Sequence, residues 1–491
     1  MTRLVSRGRF GIFVLGVTAT IAVSGCGGGS GTPPPVPVIQ NINSSTTPTS
    51  PVGLPIEING SGFQAAPGKV NFKQGSTSVD VVPAASAWSD TGLVAVVPTT
   101  LTTPGTVSVT VVTSGGTSNA VTLNLIQTLS FSPSNLVWTT TTALPTALTG
   151  LRAIGVKGST TTSAYVVVTG GSDLVTNSTT VLSNTLNADG TVGANWATIT
   201  TNPLPSARAH HAMAEADDTN SLVTAGKRYI YAIGGQQAST DAPGGTNTVF
   251  MASVDATTGA VGTWTALTNT LPQQLVGMSA TVYNGFLYVA GGLTTGGLPS
   301  AAVYSAPINA DGTLGTWTTA TNALPTAAAA AFGTMFAFGG KLYFIGGDPN
   351  NSITPNTQGV GTNSNNVYYA SSLRGTVGMW TLNTNLINKG RAKGILFAAF
   401  GQVILGEGIY SGSPGSSEFE RSTVNADGTL AAWNGLTGSN VPSANVYNAG
   451  AIVSPLISPA QTPRFLLFGG QKFVTTGTGT LSSTVYVNNA P

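Results

Sequence analysis

The sequence predicts an all-β protein in which a small immunoglobulin-like β-sandwich is followed by a six-bladed β-propeller. Three observations lead to this prediction: tryptophans recur every 53 to 68 residues, an apolar strand ends in paired glycines in most of these intervals, and the composition suits strands and turns. Only 7% of residues are charged, whereas glycine (63 residues) and proline (28 residues) are abundant. This composition favours short strands joined by tight turns and disfavours helices.

The first 25 residues predict a secretory signal. Three arginines precede an apolar run at residues 10–23, which is shorter than the ~20 residues that a membrane-spanning helix needs. Cys26 is the only cysteine of the chain and follows the small residues Ser24 and Gly25. This arrangement resembles the lipobox of bacterial lipoproteins, in which the thiol is acylated after cleavage. The resemblance implies that Cys26 carries a lipid and that a membrane is a partner of the protein through it.

Residues 26–37 predict a tether, since a flexible glycine-rich stretch is followed by three stiff prolines. Gly27 stands where lipoproteins retained at the inner membrane commonly have Asp, so the resemblance implies an outer-membrane lipoprotein, facing the periplasm or the cell surface. Without the three signal arginines, 15 basic residues face 16 acidic ones. Because no basic stripe remains to follow a phosphate backbone, no nucleic-acid partner is expected.

Residues 38–127 predict the β-sandwich, because short alternating strands recur at regular spacing. The phrase from Gly60 to Phe63, a strand ending at Pro98 and a late Gly115-Gly116 pair resemble the IPT/TIG family. Domains of this family serve mostly as spacers or contact surfaces. The resemblance therefore implies no catalytic residue in this segment.

Residues 128–491 carry the repeat. Its tryptophans are Trp138, Trp196, Trp264, Trp317, Trp380 and Trp433. Apolar strands end in double glycines at 170–171, 234–235, 291–292, 346–347 and 469–470. Asp-Gly-Thr turns precede three tryptophans, and Leu-Pro pairs follow four of them. A strand ending in Gly-Gly, then an outer strand, then tryptophan resembles the kelch repeat, which implies one propeller blade per unit.

The register of the repeat predicts how the ring closes. The last unit ends with Thr484–Val487, before any tryptophan strand, whereas the first unit begins directly with Trp138. The last unit lacks an outermost strand, and the additional strand at the start of the first unit can supply it. We therefore expect six blades, with the N-terminal strand closing the sixth so that no open edge remains.

Metal and cofactor chemistry is not expected. The two histidines, His210 and His211, are adjacent, and neighbouring residues of a strand face opposite sides. With no cysteine beyond Cys26, neither a conventional zinc site nor the copper site of galactose oxidase-like kelch proteins is predicted. Asp311-Gly312-Thr313 resembles the Asp-box of sialidases only in part, and an Asp-Gly turn explains it without a function.

The candidate site is a ring of polar side chains at the channel mouth. In the fifth unit the double glycine becomes Gly406-Glu407-Gly408, which introduces a carboxylate. Basic residues occur near the start of the innermost strands. The candidate ligand-binding residues are Arg152, Arg208, His210, Arg391, Lys393 and Glu407.

Two functions fit these features. The preferred hypothesis is a non-catalytic binding or adhesion module for a glycan or a protein at the cell envelope, with polar loops such as 350–366 as contact surfaces. The alternative is a carbohydrate-active enzyme that resembles the sialic-acid mutarotases, a periplasmic kelch family. That alternative requires Glu407 to lie near the basic residues at the channel mouth.

Overall fold

The structure, a computed structural model, describes residues 33–126 and 136–488, apart from 161–162, 188, 239–244, 351–361, 400, 411–415, 426, 437–439, 443–444, 447–448, 454–463 and 473–478. The predicted signal, Cys26, most of the tether and much of the 350–366 loop lie outside the described residues. Within the described ranges, no helix has the length and hydrophobicity needed to cross a bilayer.

The N-terminal part is a sandwich of two sheets around one apolar core. One sheet contains Val38–Ile42, Pro55–Ser61, Gly92–Val96 and Trp88–Ser89, in that order. The other contains Thr49–Pro51, Val121–Ile126, Gly105–Thr113, Lys69–Gln74 and Thr77–Val81, with Gly116–Thr117 beside Gly105–Thr113. A short 3-10 helix, Ala85–Ala87, precedes Trp88.

The glycine phrase of the sandwich is required by close packing. A Cβ atom on Gly60 would lie 2.0 Å from the Val38 carbonyl oxygen, on the neighbouring strand. Gly62 has φ +71°, a conformation that costs other residues energy. Phe63 is fully buried, and the Trp88 indole N–H donates to its carbonyl (3.2 Å). The phrase thus ends one strand and fixes the Phe63 side chain in the core.

The C-terminal part is a six-bladed β-propeller, as the repeat predicts. From the axis outwards, blade one contains Arg152–Lys157, Ala164–Thr169, Val181–Thr185 and Ala197–Thr198. Blade two contains Ala212–Asp217, Arg228–Ile233, Val249–Ser253 and Thr265–Ala266. Blade three contains Ser279–Tyr283, Phe286–Ala290, Val303–Pro307 and Thr318–Thr319.

The remaining blades follow the same order. Blade four contains Thr334–Phe338, Lys341–Ile345, Val367–Leu373 and Thr381–Leu382, with Thr376–Val377 beside its third strand and a 3-10 helix, Thr326–Ala328, before it. Blade five contains Ile395–Ala399, Gln402–Gly406, Phe419–Thr423 and Asn434–Gly435. Blade six contains Ala449–Val453, Arg464–Phe468, Val485–Asn488 and Trp138–Thr141. Two further strand pairs join Arg391–Ala392 to Ile409–Tyr410 and Asn445–Val446 to Gln471–Lys472.

The ring is closed by its N-terminal strand. Trp138 to Thr141 pair antiparallel with Asn488 to Val485, so the outermost strand of blade six comes from the start of the propeller. The Trp138 ring lies 5.2 Å from the Phe419 ring, between blades five and six. The predicted closure is therefore confirmed, and both chain ends of the propeller are held in one sheet.

Neighbouring blades are joined by a polar contact that recurs around the ring. After the outermost strand of a blade, an asparagine side chain donates to a backbone carbonyl of the next blade. The four pairs are Asn202 with Val261, Asn269 with Leu314, Asn322 with Val377 and Asn385 with Leu430. In return, the indole N–H of Trp317 donates to the Asn269 carbonyl at 3.0 Å. The recurring tryptophans thus lie between blades.

The Asp-Gly turns serve the same junctions. The Tyr231 hydroxyl of blade two donates to the Gly312 carbonyl of blade three at 2.7 Å. The Tyr343 hydroxyl of blade four likewise donates to the Gly428 carbonyl of blade five at 2.8 Å. A Cβ atom on Gly312 would lie 2.4 Å from the Tyr229 ring. Glycine is needed here because the preceding blade packs directly against the turn.

The sandwich lies against one end of the propeller. The Ser45 hydroxyl donates to the Asp218 carbonyl at 2.7 Å, and the Asn284 side chain donates to the Glu57 carboxylate at 3.3 Å. Asp218 and Asn284 follow the innermost strands of blades two and three. The sandwich therefore contacts the end of the channel where these strands finish, and the end where they begin is on the far side.

Candidate functional site

A ring of backbone hydrogen bonds surrounds the channel where the innermost strands begin. His210 N–H donates to Gly150 (2.7 Å), Gly277 to His210 (2.9 Å), Phe332 to Gly277 (2.8 Å) and Lys393 to Phe332 (2.9 Å). Each of these residues has φ between +53° and +66° and precedes the first residue of its innermost strand by two positions. We call these five residues, from blades one to five, the axial ring.

In the axial ring a glycine stands before each of the two aromatic residues, and Lys393 follows Phe332. A Cβ atom on Gly150 would lie 2.7 Å from His210 Cε1, and one on Gly277 would lie 2.4 Å from Phe332 Cε1. The His210 and Phe332 rings meet edge to face at 5.9 Å, and Lys393 Nζ lies 4.4 Å from the Phe332 ring centre. The glycines therefore provide the space in which three side chains from separate blades converge on the axis.

These side chains border a cavity of about 190 Å³, the axial cavity. Its polar lining includes Arg152, His210, Lys393 and Thr334, and its apolar lining includes Phe332. Methionines 213, 278 and 335 complete much of the apolar wall. One water needs roughly 10–15 Å³ of such volume, so the cavity has room for several waters or a small ligand.

The ionisable groups that line the axial cavity are all basic. Burial lowers the pKa of Arg152 to about 10, so its guanidinium stays charged at neutral pH. Its Nη1 donates to the Leu151 carbonyl at 2.9 Å. Burial also lowers the pKa of Lys393 well below its usual value, with Asp348 acting in the opposite direction. The pKa of His210 is lowered by burial and then by Lys393 and Arg152.

Three of the six predicted site residues thus meet at one cavity: Arg152, His210 and Lys393. Arg208 lies elsewhere. It is fully buried inside blade two, where its Nη1 donates to the Gly234 carbonyl at 2.6 Å. Its guanidinium also stacks over the Phe250 ring at 4.0 Å. These contacts give Arg208 a role in holding blade two together.

Arg391 repeats the backbone contact of Arg208 in blade five. Its Nη1 donates to the backbone carbonyl of Glu407, at the position that Gly234 has in blade two. Arg391 borders a separate cleft rather than the axial cavity. Glu407 borders neither of these two spaces, and its side chain is fully buried. Burial raises the pKa of its carboxyl group well above the usual value, and Arg391 lowers it.

The second histidine also has a structural environment. His211 is fully buried, and its Nε2 lies 2.8 Å from the Thr169 hydroxyl of blade one. Burial lowers its pKa well below the usual value. Among the residues that the structure describes, no group of three or more His, Cys, Asp or Glu side chains is arranged to hold a metal.

Sequence reasoning missed two features of this region. Phe332 was not singled out, although its ring is the surface on which His210 and Lys393 pack. The cleft beside Arg391 was also missed, with its carboxylates Glu418 and Glu420. The signal for the cleft is present in the sequence, because these are charged residues in a strand that is apolar or neutral in the other blades.

Comparison with known proteins identifies the sandwich. Residues 37–124 match the model of the IPT/TIG domain family. The sandwich is an IPT/TIG domain. The TIG domain covers less than half of the chain. None of the curated proteins compared with the whole chain matches it significantly.

Among solved structures, the one titled "Structure of YjhT" aligns with 70% of this chain and 95% of its own, with a TM-score of 0.46 and 13% identity.

Proposed function

We propose that this chain is a binding protein of the cell envelope whose propeller holds an acidic sugar in the axial cavity. The observation that supports this proposal most is the convergence of Arg152, His210 and Lys393 on one cavity. Among its described lining residues there is no aspartate or glutamate. An anion bound there would offset the cost of burying the Arg152 guanidinium and would favour the protonated forms of Lys393 and His210.

The chemistry of the lining fits a sugar acid. A guanidinium can bind a carboxylate through two parallel hydrogen bonds, and Arg152 is one of the residues that line the cavity. Lys393 adds a point charge, and an approaching carboxylate would favour its protonated form. Phe332 and the methionines offer apolar surface to the C–H face of a sugar ring. Charge and apolar contact are thus available within one small space.

The alternative, a carbohydrate-active enzyme built on Glu407, has less support. General acid–base catalysis needs a group within hydrogen-bond reach of the substrate, about 2.6–3.2 Å. The Glu407 side chain is fully buried and does not border the axial cavity. A binding function, in contrast, requires only the residues that line the axial cavity.

The anchoring of the protein belongs to the same proposal. Lipid on Cys26 would hold the N-terminus at the outer membrane, and the TIG domain follows directly. The TIG domain contacts the propeller where the innermost strands finish, through Ser45 and Asp218 for example. The axial ring lies at the other end, so the cavity would open away from the anchored side.

Ligand-observed NMR on the purified full chain would test this function. We expect glucuronate and galacturonate to bind, with Arg152→Met weakening that binding. Glucose and galactose have a hydroxymethyl group in place of the carboxylate, so any signal from them should not change in Arg152→Met. The same spectra would report any conversion of the sugars. Binding of the acids that does not respond to Arg152→Met would contradict an anion site in the axial cavity, and conversion of any of the sugars would favour the enzymatic alternative.

A further inference from the structure

Blade five differs from the other blades at one buried position of its third strand. Glu420 follows Phe419, which pairs with the last residue of the second strand, Gly406. The same place is apolar or aromatic in the other blades: Leu182, Phe250, Tyr304, Tyr368 and Tyr486. All six side chains are buried, with Glu420 only 4% exposed. One blade in six therefore has a carboxyl group where the fold uses a hydrophobic side chain.

Stability does not account for this carboxyl group. Burial raises its pKa, because the ionised form loses water. The distance from its Oε1 to Nη2 of its cationic partner Arg391 is 3.6 Å, which is longer than a hydrogen bond. Replacing a buried ion pair with hydrophobic residues is often neutral or stabilising, and five blades of this propeller use the hydrophobic solution.

A second change in the same blade orients the carboxylate. The Leu-Pro pair that precedes four of the other blades, and the Val441-Pro442 pair that precedes blade six, are replaced by Ile387-Asn388 before blade five. Ile387 makes the backbone hydrogen bond that the leucine of the pair makes elsewhere, which fixes the equivalence. The Asn388 N–H donates to Glu420 Oε2 at 2.9 Å. Proline has no N–H, so this bond is impossible at the positions of the other blades: Pro145, Pro205, Pro272, Pro325 and Pro442.

The two changes border a cleft of about 410 Å³, the blade-five cleft. Lys389 and Glu418 form an ion pair at its rim at 2.8 Å, and both are about half exposed. Within the described structure, Glu420 Oε1 is buried and accepts no hydrogen bond, and Arg391 Nε donates none. The cleft thus combines a buried acceptor and a buried donor that lack hydrogen-bond partners.

We propose that the blade-five cleft binds a neutral saccharide. Its two cations and two carboxylates balance, so the cleft gives a charged ligand no net attraction. A sugar hydroxyl can donate to Glu420 Oε1 and accept from a neighbouring N–H at once, and adjacent hydroxyls can satisfy both groups. This site is separate from the axial cavity, and it goes beyond the acidic-sugar function proposed above.

The test is a glycan array of neutral saccharides probed with the full chain, followed by calorimetry on the best ligand. We expect Glu420→Leu, which restores the residue type of blade one, to lower the affinity roughly ten- to hundredfold. Its melting temperature should not fall. Glu420→Gln keeps the volume of the side chain and should also weaken binding, so a folding defect in one variant leaves the other informative.

Two controls separate this site from the rest of the protein. Thr180→Ala changes the blade-one residue equivalent to Glu418 and should leave the affinity unchanged, whereas Glu418→Ala should lower it. Arg152→Met, in the axial cavity, should also leave neutral-saccharide binding intact. The proposal fails if no neutral saccharide binds at millimolar concentration, or if the Glu420 variants bind as tightly as the unchanged chain.

Discussion

At the residue scale, one backbone position shows how strongly the propeller constrains its side chains. After the second strand of each blade the chain adopts a positive φ, between +51° and +71°. Glycine occupies this position in five blades, at residues 170, 234, 291, 346 and 469. A Cβ atom on Gly170 would lie 2.3 Å from the Arg208 carbonyl of the next blade. Glu407 is the exception, with φ +51° and a buried carboxyl group.

We expect Glu407→Gly to stabilise the protein, and to do so more at high pH. Glycine relieves a left-handed backbone that costs about 1 kcal/mol. The raised pKa of Glu407 means that its burial penalty is absent below the usual pKa of 4.5 and grows as the pH rises towards the folded-state pKa. Urea denaturation at pH 5 and pH 8 should show a larger gain at pH 8.

Leu174→Gly is the matched control for this effect. Leu174 also has a positive φ (+75°) but no ionisable group, so any gain should be the same at both pH values. An equal gain at pH 5 and pH 8 for Glu407→Gly would contradict the assignment of a buried, proton-binding carboxyl group.

At the element scale, the asparagines between blades bear on how the ring holds together. The Asn269 side chain donates to the Leu314 carbonyl at 2.7 Å, and Leu314 is buried. Asn269→Ala leaves that carbonyl without its donor, which costs about 1–3 kcal/mol. Chemical denaturation should show this loss.

Asn309→Ala provides the comparison, because Asn309 is exposed and bonds only within its own turn. Its substitution should change the stability by less than about 0.5 kcal/mol. Similar losses of stability for the two variants would mean that the hydrogen bond between blades stabilises the protein no more than a hydrogen bond within an exposed turn.

Much of the architecture could be predicted from the sequence, because each blade repeats the same packing problem. A strand buried on both faces, such as Ala164–Thr169, must be apolar throughout, and its exit needs glycine. These requirements recur with every blade, so their residues recur in the sequence. The number of blades and the closing strand follow from counting them.

The candidate site could be predicted only in part. Arg152 and Arg208 look equivalent in the sequence, yet Arg152 is the first residue of an innermost strand, whereas Arg208 lies four residues before one. The position where a strand begins depends on backbone hydrogen bonds between blades, such as His210 to Gly150, which spacing does not reveal. Arg391, like Arg208, lies four residues before an innermost strand and bonds within its own blade. The predicted ring therefore divides into residues that line the axial cavity and residues that do not.

At the scale of the whole molecule, closure by the N-terminal strand predicts where the propeller can be shortened. A chain that begins at Ser132 retains Trp138–Thr141 and should fold and melt cooperatively. A chain that begins at Gly150 leaves Val485–Asn488 as an open edge and removes the Trp138 side chain. Losing such a buried ring costs about 3–5 kcal/mol, and an open edge promotes aggregation.

Solubility and differential scanning calorimetry of the two chains would check this expectation. Equal solubility and equal melting temperatures would mean that the ring is stable without its closing strand. The six-bladed count would then lose the physical argument that the pairing of Trp138 with Asn488 provides.

The arrangement of the two domains gives the molecule a direction. The TIG domain occupies one end of the propeller, where Glu57 accepts a hydrogen bond from Asn284. The axial ring and the axial cavity lie at the other end, where the innermost strands begin. A ligand would therefore approach the propeller from the side that the TIG domain leaves open.

Calorimetric titration of the full chain with glucuronate, before and after Arg152→Met, tests the proposed function most directly. Arg152 is the cation of the axial cavity that stays charged at neutral pH, so its loss should weaken glucuronate binding roughly ten- to hundredfold. Lys73→Met, an exposed change in the TIG domain, should leave the affinity unaltered. Unchanged glucuronate affinity in Arg152→Met, or no binding by the unsubstituted chain, would contradict the assignment of the axial cavity as an acidic-sugar site.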